Sequence, residues 1–334
     1  MKKVFKAILK YVKENILYLL FLVAIVLIFT YKLPYTVDYP GGIINIEPRL
    51  RGDIIKSKGS FNLTYVSNVP GYISNLILAK ILPDWDIVKN EEVIIDGETM
   101  EIYEARSRID LYSSISAAKY VAYNKANIEL NIDKQYDMIY YVAEKANTSL
   151  EVGDQLLSYD GNDYNTGEKL TEYISSKELG DKIVFKVINK KGKEETREAT
   201  IIDDEGVKRI GVIVQTYYSY NNNPNIEYLY DPQEYGPSGG LMMSLAIYNA
   251  LTEKDITKGL KISGTGTINH DGTVGAIGGV KYKLLGAINK KCDAFIIPAD
   301  NYEEAISVAK KHNSDIKIIK AESFDQVIDE INKL

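Results

Sequence analysis

The chain contains one cysteine, Cys292, and two histidines among its 334 residues. A single cysteine excludes an intramolecular disulfide and a thiolate metal set, and two histidines make a metal site unexpected. Cys292 falls in a helix-to-strand connection and reads as a small buried apolar residue. No Gly-x-x-x-x-Gly-Lys-Ser/Thr segment occurs, so no P-loop nucleotide site and no other cofactor is expected. Basic blocks are missing beyond the N-terminus and the net charge is −6, which argues against nucleic acid as a partner. What remains is ordinary globular composition, 45% hydrophobic and 26% charged, with room for two or three domains.

The first feature that is present lies at the start. Lys2, Lys3, Lys6, Lys10 and Lys13 precede an uncharged run of 17 residues from Asn15 to Tyr31. That is the short end of the roughly 17–25 residues that span a bilayer. A cleaved signal peptide is one reading, but no small-x-small site follows Tyr31. A buried core helix is another, disfavoured by the charge asymmetry. An uncleaved anchor is the expectation, with the N-terminus cytoplasmic and everything after Tyr31 outside the cell membrane.

Pro34, Pro40 and Gly41-Gly42 read as a linker or turn. Ile43–Ile46 and Ser60–Val66 have strand character, and Ile73–Ile81 and Thr99–Asn127 read as helices. Met138–Val142 reads as a strand, Leu150–Gly161 as strand and turn, and Gly167–Ser176 as a helix. Ile183–Lys190 and Glu194–Ile202 read as a hairpin. After position 238, helices (Gly240–Leu251, Lys281–Lys291, Asn301–His312, Phe324–Asn332) alternate with strands (Gly259–Ile268, Ala294–Ile297, Ile316–Ile319). The fold class expected is α+β or α/β.

Chemistry concentrates between Tyr235 and Lys283. Ser238, in Tyr235-Gly-Pro-Ser-Gly-Gly240, precedes a helical run, where free N–H groups and the positive dipole end can hold an oxyanion. Lys281 follows Gly278-Gly279-Val280 at another helix start, where the dipole and burial both favour the neutral amine. A neutral lysine beside a serine is the minimal apparatus of a Ser-Lys hydrolase. Taken singly, Ser238 could be a helix cap and Lys281 a solvated residue. His270 with Asp271 offers a competing base, although adjacent turn residues cannot readily set the aspartate behind the imidazole. His312 reads as a helix C-terminal residue.

These motifs resemble the proteolytic domain of the Lon peptidase family, whose nucleophile lies in G-P-S-A-G and whose lysine follows G-G-[LIV]. Lys281 follows Ser238 by 43 residues, which resembles the family spacing. Gly239 stands where alanine is usual, and Tyr235 where a small or acidic residue is common. The resemblance puts Thr265 where the family has a threonine that hydrogen-bonds the lysine. Lys58-Gly-Ser-Phe61 and the Ser113–Lys125 helix resemble membrane-anchored Lon-like proteases of Gram-positive bacteria. The order Leu150-x-Val-Gly-Asp-x-Leu, then Asp160-Gly161, a helix and a hairpin resembles a PDZ domain. Such a domain takes a peptide as an added strand, which would assign Met138, Ile139 and Tyr140 to peptide binding, with Gly167–Ser176 as the opposite wall.

The division expected is a tail and anchor (1–34), an N-terminal part of the Lon-like region (35–128), a PDZ-like domain (129–205) and a proteolytic domain (206–334). The resemblance implies an ATP-independent, membrane-anchored serine endopeptidase acting on secreted peptides or accessible, unfolded segments of extracytoplasmic proteins. A homo-oligomer is left open. The contrasting reading is a catalytically inactive membrane-tethered PDZ scaffold. A Ser-Lys signal peptidase is a third, weakened by the long stretch between the apolar run and Ser238.

Overall fold

The computed structural model describes residues 2–92, 94 and 98–334. Helix α1 (Lys2–Glu14) carries lysines at 2, 3, 6, 10 and 13 and turns by 76° at Asn15 into α2 (Ile16–Thr30). Helix α2 is uncharged and buries none of its residues. It is shorter than the run expected from sequence, and among the described residues no single helix is long and apolar enough to cross a membrane. The bent pair passes by length and composition only.

Strand β1 (Lys32–Asn45) follows directly. The prolines and glycines expected to form a turn lie inside it, because the strand accommodates them at register breaks between Lys32 and Thr36 and between Pro40 and Ile43. A proline cannot donate to a ladder, and a bulge absorbs the missing bond. Strand β2 (Ser60–Tyr72) pairs antiparallel with β1. Helix α3 (Ile73–Ile81) and strand β3 (Asp86–Lys89) follow, and β3 closes the outer edge of β1. Helix α4 (Met100–Lys125) begins at Thr99, whose hydroxyl accepts the Ile102 amide as an N-cap.

A second sheet interrupts this layer. Strands β4 (Ile132–Val142) and β5 (Gln155–Tyr159) come first, then helix α5 (Gly167–Ser175). Strands β6 (Lys182–Ile188), β7 (Glu194–Thr200) and β8 (Val212–Tyr220) complete it in the order β8-β4-β5-β6-β7. Its core is built from period-two alternation: Ile183, Phe185 and Val187 of β6 face inward and meet Ile139, Leu156, Leu170 and Ile174. Strand β8, whose pairing with β4 runs from Val212 to Tyr220, was not foreseen and lies beyond the expected boundary at 205.

The chain then returns to the first layer with α6 (Gly240–Leu251), β9 (Lys261–Gly264) and the short hairpin β10 (Thr267–Ile268) and β11 (Val274–Gly275). Helix α7 (Val280–Asn289), β12 (Ala294–Pro298), α8 (Tyr302–Lys311), β13 (Lys317–Ala321) and α9 (Phe324–Ile331) end it. The main sheet runs β13-β12-β9-β2-β1-β3, parallel from β13 to β2 and antiparallel beyond. Residues before and after the second sheet share this one sheet, so the smaller module is an insertion. Both faces of the main sheet are covered, which is why β12 is buried at every position, Ala-Phe-Ile-Ile-Pro. Ala294 and Ile296 join the core under α4, α6 and α9, while Phe295 and Ile297 join Leu284, Ala287, Cys292 and Ala305 under α7 and α8.

Two contacts tie the layers. The Lys58 amide donates to Asp255 Oδ2 at 2.7 Å and the Gly59 amide to Thr257 Oγ1 at 3.1 Å, setting β2 beside β9. Buried Lys119 of α4 donates to Tyr220 O at 3.1 Å and to Asn225 Oδ1 at 2.7 Å, clasping the segment where the module ends.

Phe295 has no exposed surface. Its replacement by alanine is expected to remove about 3–5 kcal/mol of stability, read as a lowered urea midpoint at unchanged slope.

Candidate active site

The segment 235–239 is held from both sides before α6 begins. From α4, Ser107 O accepts the Gly236 amide at 2.8 Å, and the Ser114 hydroxyl donates to Pro237 O at 2.9 Å. From the β9–β10 connection, the Gly266 amide donates to Ser238 O at 2.7 Å. Gly236 has φ +85°, which a side chain would strain. Gly240 lets α4 come close, since a Cβ there would sit 2.6 Å from Ser114 Oγ. Gly239 has more room. A methyl group would crowd the end of the Leu63 side chain, at 2.9 Å, which can rotate away, and would make an ordinary contact with Met243 at 3.6 Å.

Against this loop stands Lys283, not Lys281. Lys283 Nζ is 3.0 Å from Ser238 Oγ and 3.2 Å from Thr265 Oγ1. The Thr265 hydroxyl in turn donates to Ser238 O at 3.0 Å. Thr265 is therefore in contact with a lysine, as the resemblance implied, but with the lysine two residues further on. The reason is helix phase. With Gly279 as N-cap, α7 buries Val280, Lys283, Leu284, Leu285, Gly286 and Ala287, and Lys283 shares with Val280, Leu284 and Ala287 the i, i+3, i+4, i+7 stripe. Lys281 lies off that stripe. It pairs with Asp86 Oδ2 at 2.5 Å and Asp84 Oδ1 at 3.7 Å, and the Tyr282 hydroxyl donates to the same Asp86 oxygen at 2.8 Å. Burial alone would raise the Asp86 carboxyl, but these hydrogen bonds and the Lys281 charge outweigh it and hold it low. The two acids also offset the cost of a cation at the helix start. Both lysines have apolar residues at helical spacing, Lys281 with Leu284, Leu285 and Ile288, so periodicity alone does not separate them and packing does.

Lys283 is 5% exposed, and burial pushes its amine down to about 8. Half of such groups are neutral just above physiological pH, and a neutral amine has the lone pair that a base needs. Ser238 itself is only half-buried, so the pair is open to solvent on the serine side. The loop before α7 is fixed by Asn301, whose side-chain oxygen accepts the Ile277 amide at 2.9 Å and whose amide group donates to Ile277 O at 3.0 Å.

The start of α6 is a less free oxyanion site than expected. The Gly240 amide donates to Pro237 O at 3.2 Å and the Leu241 amide to Gly266 O at 3.0 Å. Among the described residues the amides of Ser238 and Gly239 make no such bond. His270 packs its ring edge-on against Tyr120, with centroids 5.1 Å apart. Asp271 accepts from the Thr273 amide and hydroxyl, so it does not back the imidazole.

The residues expected to bind peptide do not offer a free edge. At Met138 and Ile139 the backbone of β4 is paired with β8 on one side, and with Gln155, Asp154 and Gly153 on the other. Ile139 is fully buried, and the Tyr140 ring faces Arg106 and Asp110 of α4. The unforeseen strand β8 is what occupies the edge that a peptide would need.

Residues 232–333 match the family described as the Lon protease (S16) C-terminal proteolytic domain. The chain is 38% identical over 94 residues to a Lon protease of Clostridium acetobutylicum, covering 28% of this chain and 12% of that protein. It is 29% identical over 147 residues to a Lon protease of Campylobacter jejuni, covering 44% and 17%. The chain thus matches less than a fifth of the length of these curated relatives. A solved PDZ domain of the SdrC-like protein from Listeria monocytogenes is 24% identical, covering 26% of this chain and 93% of that domain at a TM-score of 0.22. The corresponding domain from Listeria innocua is 25% identical, covering 24% and 92% at the same score.

Replacing Lys283 by methionine is expected to lower kcat/KM by about 10²–10⁴-fold, the usual worth of a positioned base. Lys281→Ala and His270→Ala should each stay within a few-fold of the parent. In the parent, a protonated Lys283 cannot accept a proton, so kcat/KM should rise with pH through about 8 and then level. A flat profile, or Lys281→Ala as damaging as Lys283→Met, would reverse the assignment.

Proposed function

We propose that this chain, similar to Lon proteases over its last hundred residues, is a membrane-anchored serine endopeptidase that works without ATP through a Ser238–Lys283 dyad. The observation that carries the reading is the 3.0 Å approach of a buried amine, depressed to about 8, to a half-exposed serine hydroxyl. In the neutral state the Ser238 hydroxyl donates to the Lys283 lone pair, while one Lys283 N–H points to Thr265. Thr265 thereby fixes the direction of the lone pair.

As Ser238 Oγ attacks a peptide carbonyl carbon, its proton passes to Lys283 Nζ. The carbonyl oxygen takes the negative charge, and the amides of Ser238 and Gly239 stabilise it. Lys283 then gives the proton to the departing amine and returns to neutral, leaving an acyl ester on Ser238. A water molecule, deprotonated by Lys283, hydrolyses the ester and restores the serine. Lysine ends each half-reaction as it began.

The absence of a P-loop segment supports action without nucleotide, which suits peptides and already unfolded segments. The uncharged helix α2 behind a lysine-rich α1 supports anchoring with the N-terminus cytoplasmic and the catalytic part outside. The inserted module has its β4 edge occupied at Met138–Ile139, so any part in substrate delivery would use another surface.

The test is cleavage of unfolded casein and of a secreted-peptide mixture by the full chain in detergent, without nucleotide, read by mass spectrometry. Products that vanish in both Ser238→Ala and Lys283→Met are expected. Cleavage that survives either substitution, or appears only with ATP, would refute the mechanism.

A further inference from the structure

We propose that helix α3 is a membrane-interface helix that lays its exposed apolar face into the boundary layer of the bilayer entered by α2. The proposal rests on the anchoring reading above and adds a second contact to it.

The exposed side chains of this region form one stripe. Ile77 is 49% exposed, Leu78 42% and Ile81 72%, positions i, i+1 and i+4 on a single face, and Leu82, just past the helix end, is 37% exposed. The opposite side seats buried Ala79 against the domain. The helix, Ile-Ser-Asn-Leu-Ile-Leu-Ala-Lys-Ile, has no acid, and its one cation, Lys80, is exposed beside the stripe, where a long stem can reach toward water. Four large aliphatic side chains held in water along one short helix and its end would be an unusual cost for a free surface.

Connectivity indicates what covers them. Lys32 at the start of β1 pairs with Tyr72 at the end of β2. Residue 32 follows α2 and residue 72 precedes α3, so the exit of one apolar helix and the entry of the other are adjacent, and the two helices pack together. Helix α2 has 15 residues. At about 1.5 Å per residue it is roughly 22 Å long, short of the ~30 Å hydrocarbon layer. An anchor that short draws what is attached to its end toward the bilayer, and the attached surface is the apolar face of α3. The residues nearby are those of an interfacial belt: exposed Tyr31 next to Lys32, and Trp85, three residues beyond Leu82, stacked on Tyr39 at 4.4 Å.

The consequence concerns which substrates meet Ser238. Helix α3 runs into β3, and Asp86 of β3 holds Lys281 on the catalytic helix α7. The proteolytic layer is thus fastened to the membrane at two points and cannot swing freely on a single tether. Segments lying close to the bilayer become its substrates in preference to peptides in bulk solution.

The full chain, reconstituted in phosphatidylcholine–phosphatidylglycerol vesicles, provides the test. An environment-sensitive NBD label is placed in a Cys292→Ala background at Ile81→Cys, at Leu22→Cys within α2, and at Val184→Cys on the exposed side of β6. Vesicles containing 5-doxyl-phosphatidylcholine should quench the labels at 81 and 22 and leave 184 unchanged, with blue-shifted emission at 81. The unsubstituted chain supplies an independent reading through Trp85, its only tryptophan, which the same lipid should also quench. Quenching at 22 with neither 81 nor Trp85 affected would overturn the interfacial role while leaving the anchor standing. No quenching at 22 would remove the anchor and this proposal together. A label at 81 that is shielded from aqueous iodide but untouched by the lipid quencher would assign the face to a second copy of the chain, also against the proposal.

Discussion

The structure depends on keeping one primary amine dry. A lysine in water is a cation at neutral pH and useless as a base, and only the loss of solvent brings it to about 8. Burial is the cause of that shift. Lys283 must therefore sit inside a sheet-and-helix layer while its Nζ reaches a serine that a substrate can still approach. The parallel strands β9 and β12, the covering helix α7 and the loop 235–239 together meet that demand.

The N-terminal part of the chain takes part in this arrangement. Strand β2 pairs with β9, so residues near position 60 support the strand that leads to Thr265. Helix α4 fastens the Ser238 loop through Ser107 and Ser114. A Lon-like domain cut out at residue 232 would lose both supports. That places the inserted module in a particular position, since it is spliced between α4 and the very loop that α4 holds. Lys119 and Tyr123 of α4 bind the chain where it leaves the module, Tyr123 accepting the Ile226 amide and donating to Pro224 O. Movement of the module has a short mechanical route to the Ser238 loop.

The two lysines of α7 show how one turn of helix separates roles. Lys281 and Lys283 are two residues apart, and consecutive positions rotate by about 100°, so they face different surroundings. One meets the carboxylates of Asp86 and Asp84 at the sheet edge and fastens β3 to α7. The other is buried beside the hydroxyls of Ser238 and Thr265, and burial pushes its amine down to about 8. Residue type was the same; the solvent and charge around each decided the chemistry.

What the sequence by itself determined was whatever is written in local pattern. The helix Gly240–Leu251 came from its apolar run, the hairpin of β6 and β7 from the strands about Lys190–Lys193, and α4 from its periodicity. The Gly-Pro-Ser turn marked Ser238, and the resemblance marked Thr265. Only the tertiary structure decided the rest. Pro34 and Gly41-Gly42 read as turns because local propensity favours turns, yet pairing on both sides drew them into β1. Met138–Tyr140 read as an accepting edge, until β8, more than seventy residues away in sequence, occupied it. The Gly-Gly-Val motif at a helix start, with the 43-residue spacing, pointed to Lys281, whereas packing set the buried Lys283 beside Ser238, because a pKa is set by the solvent excluded around a group and not by its place in a motif.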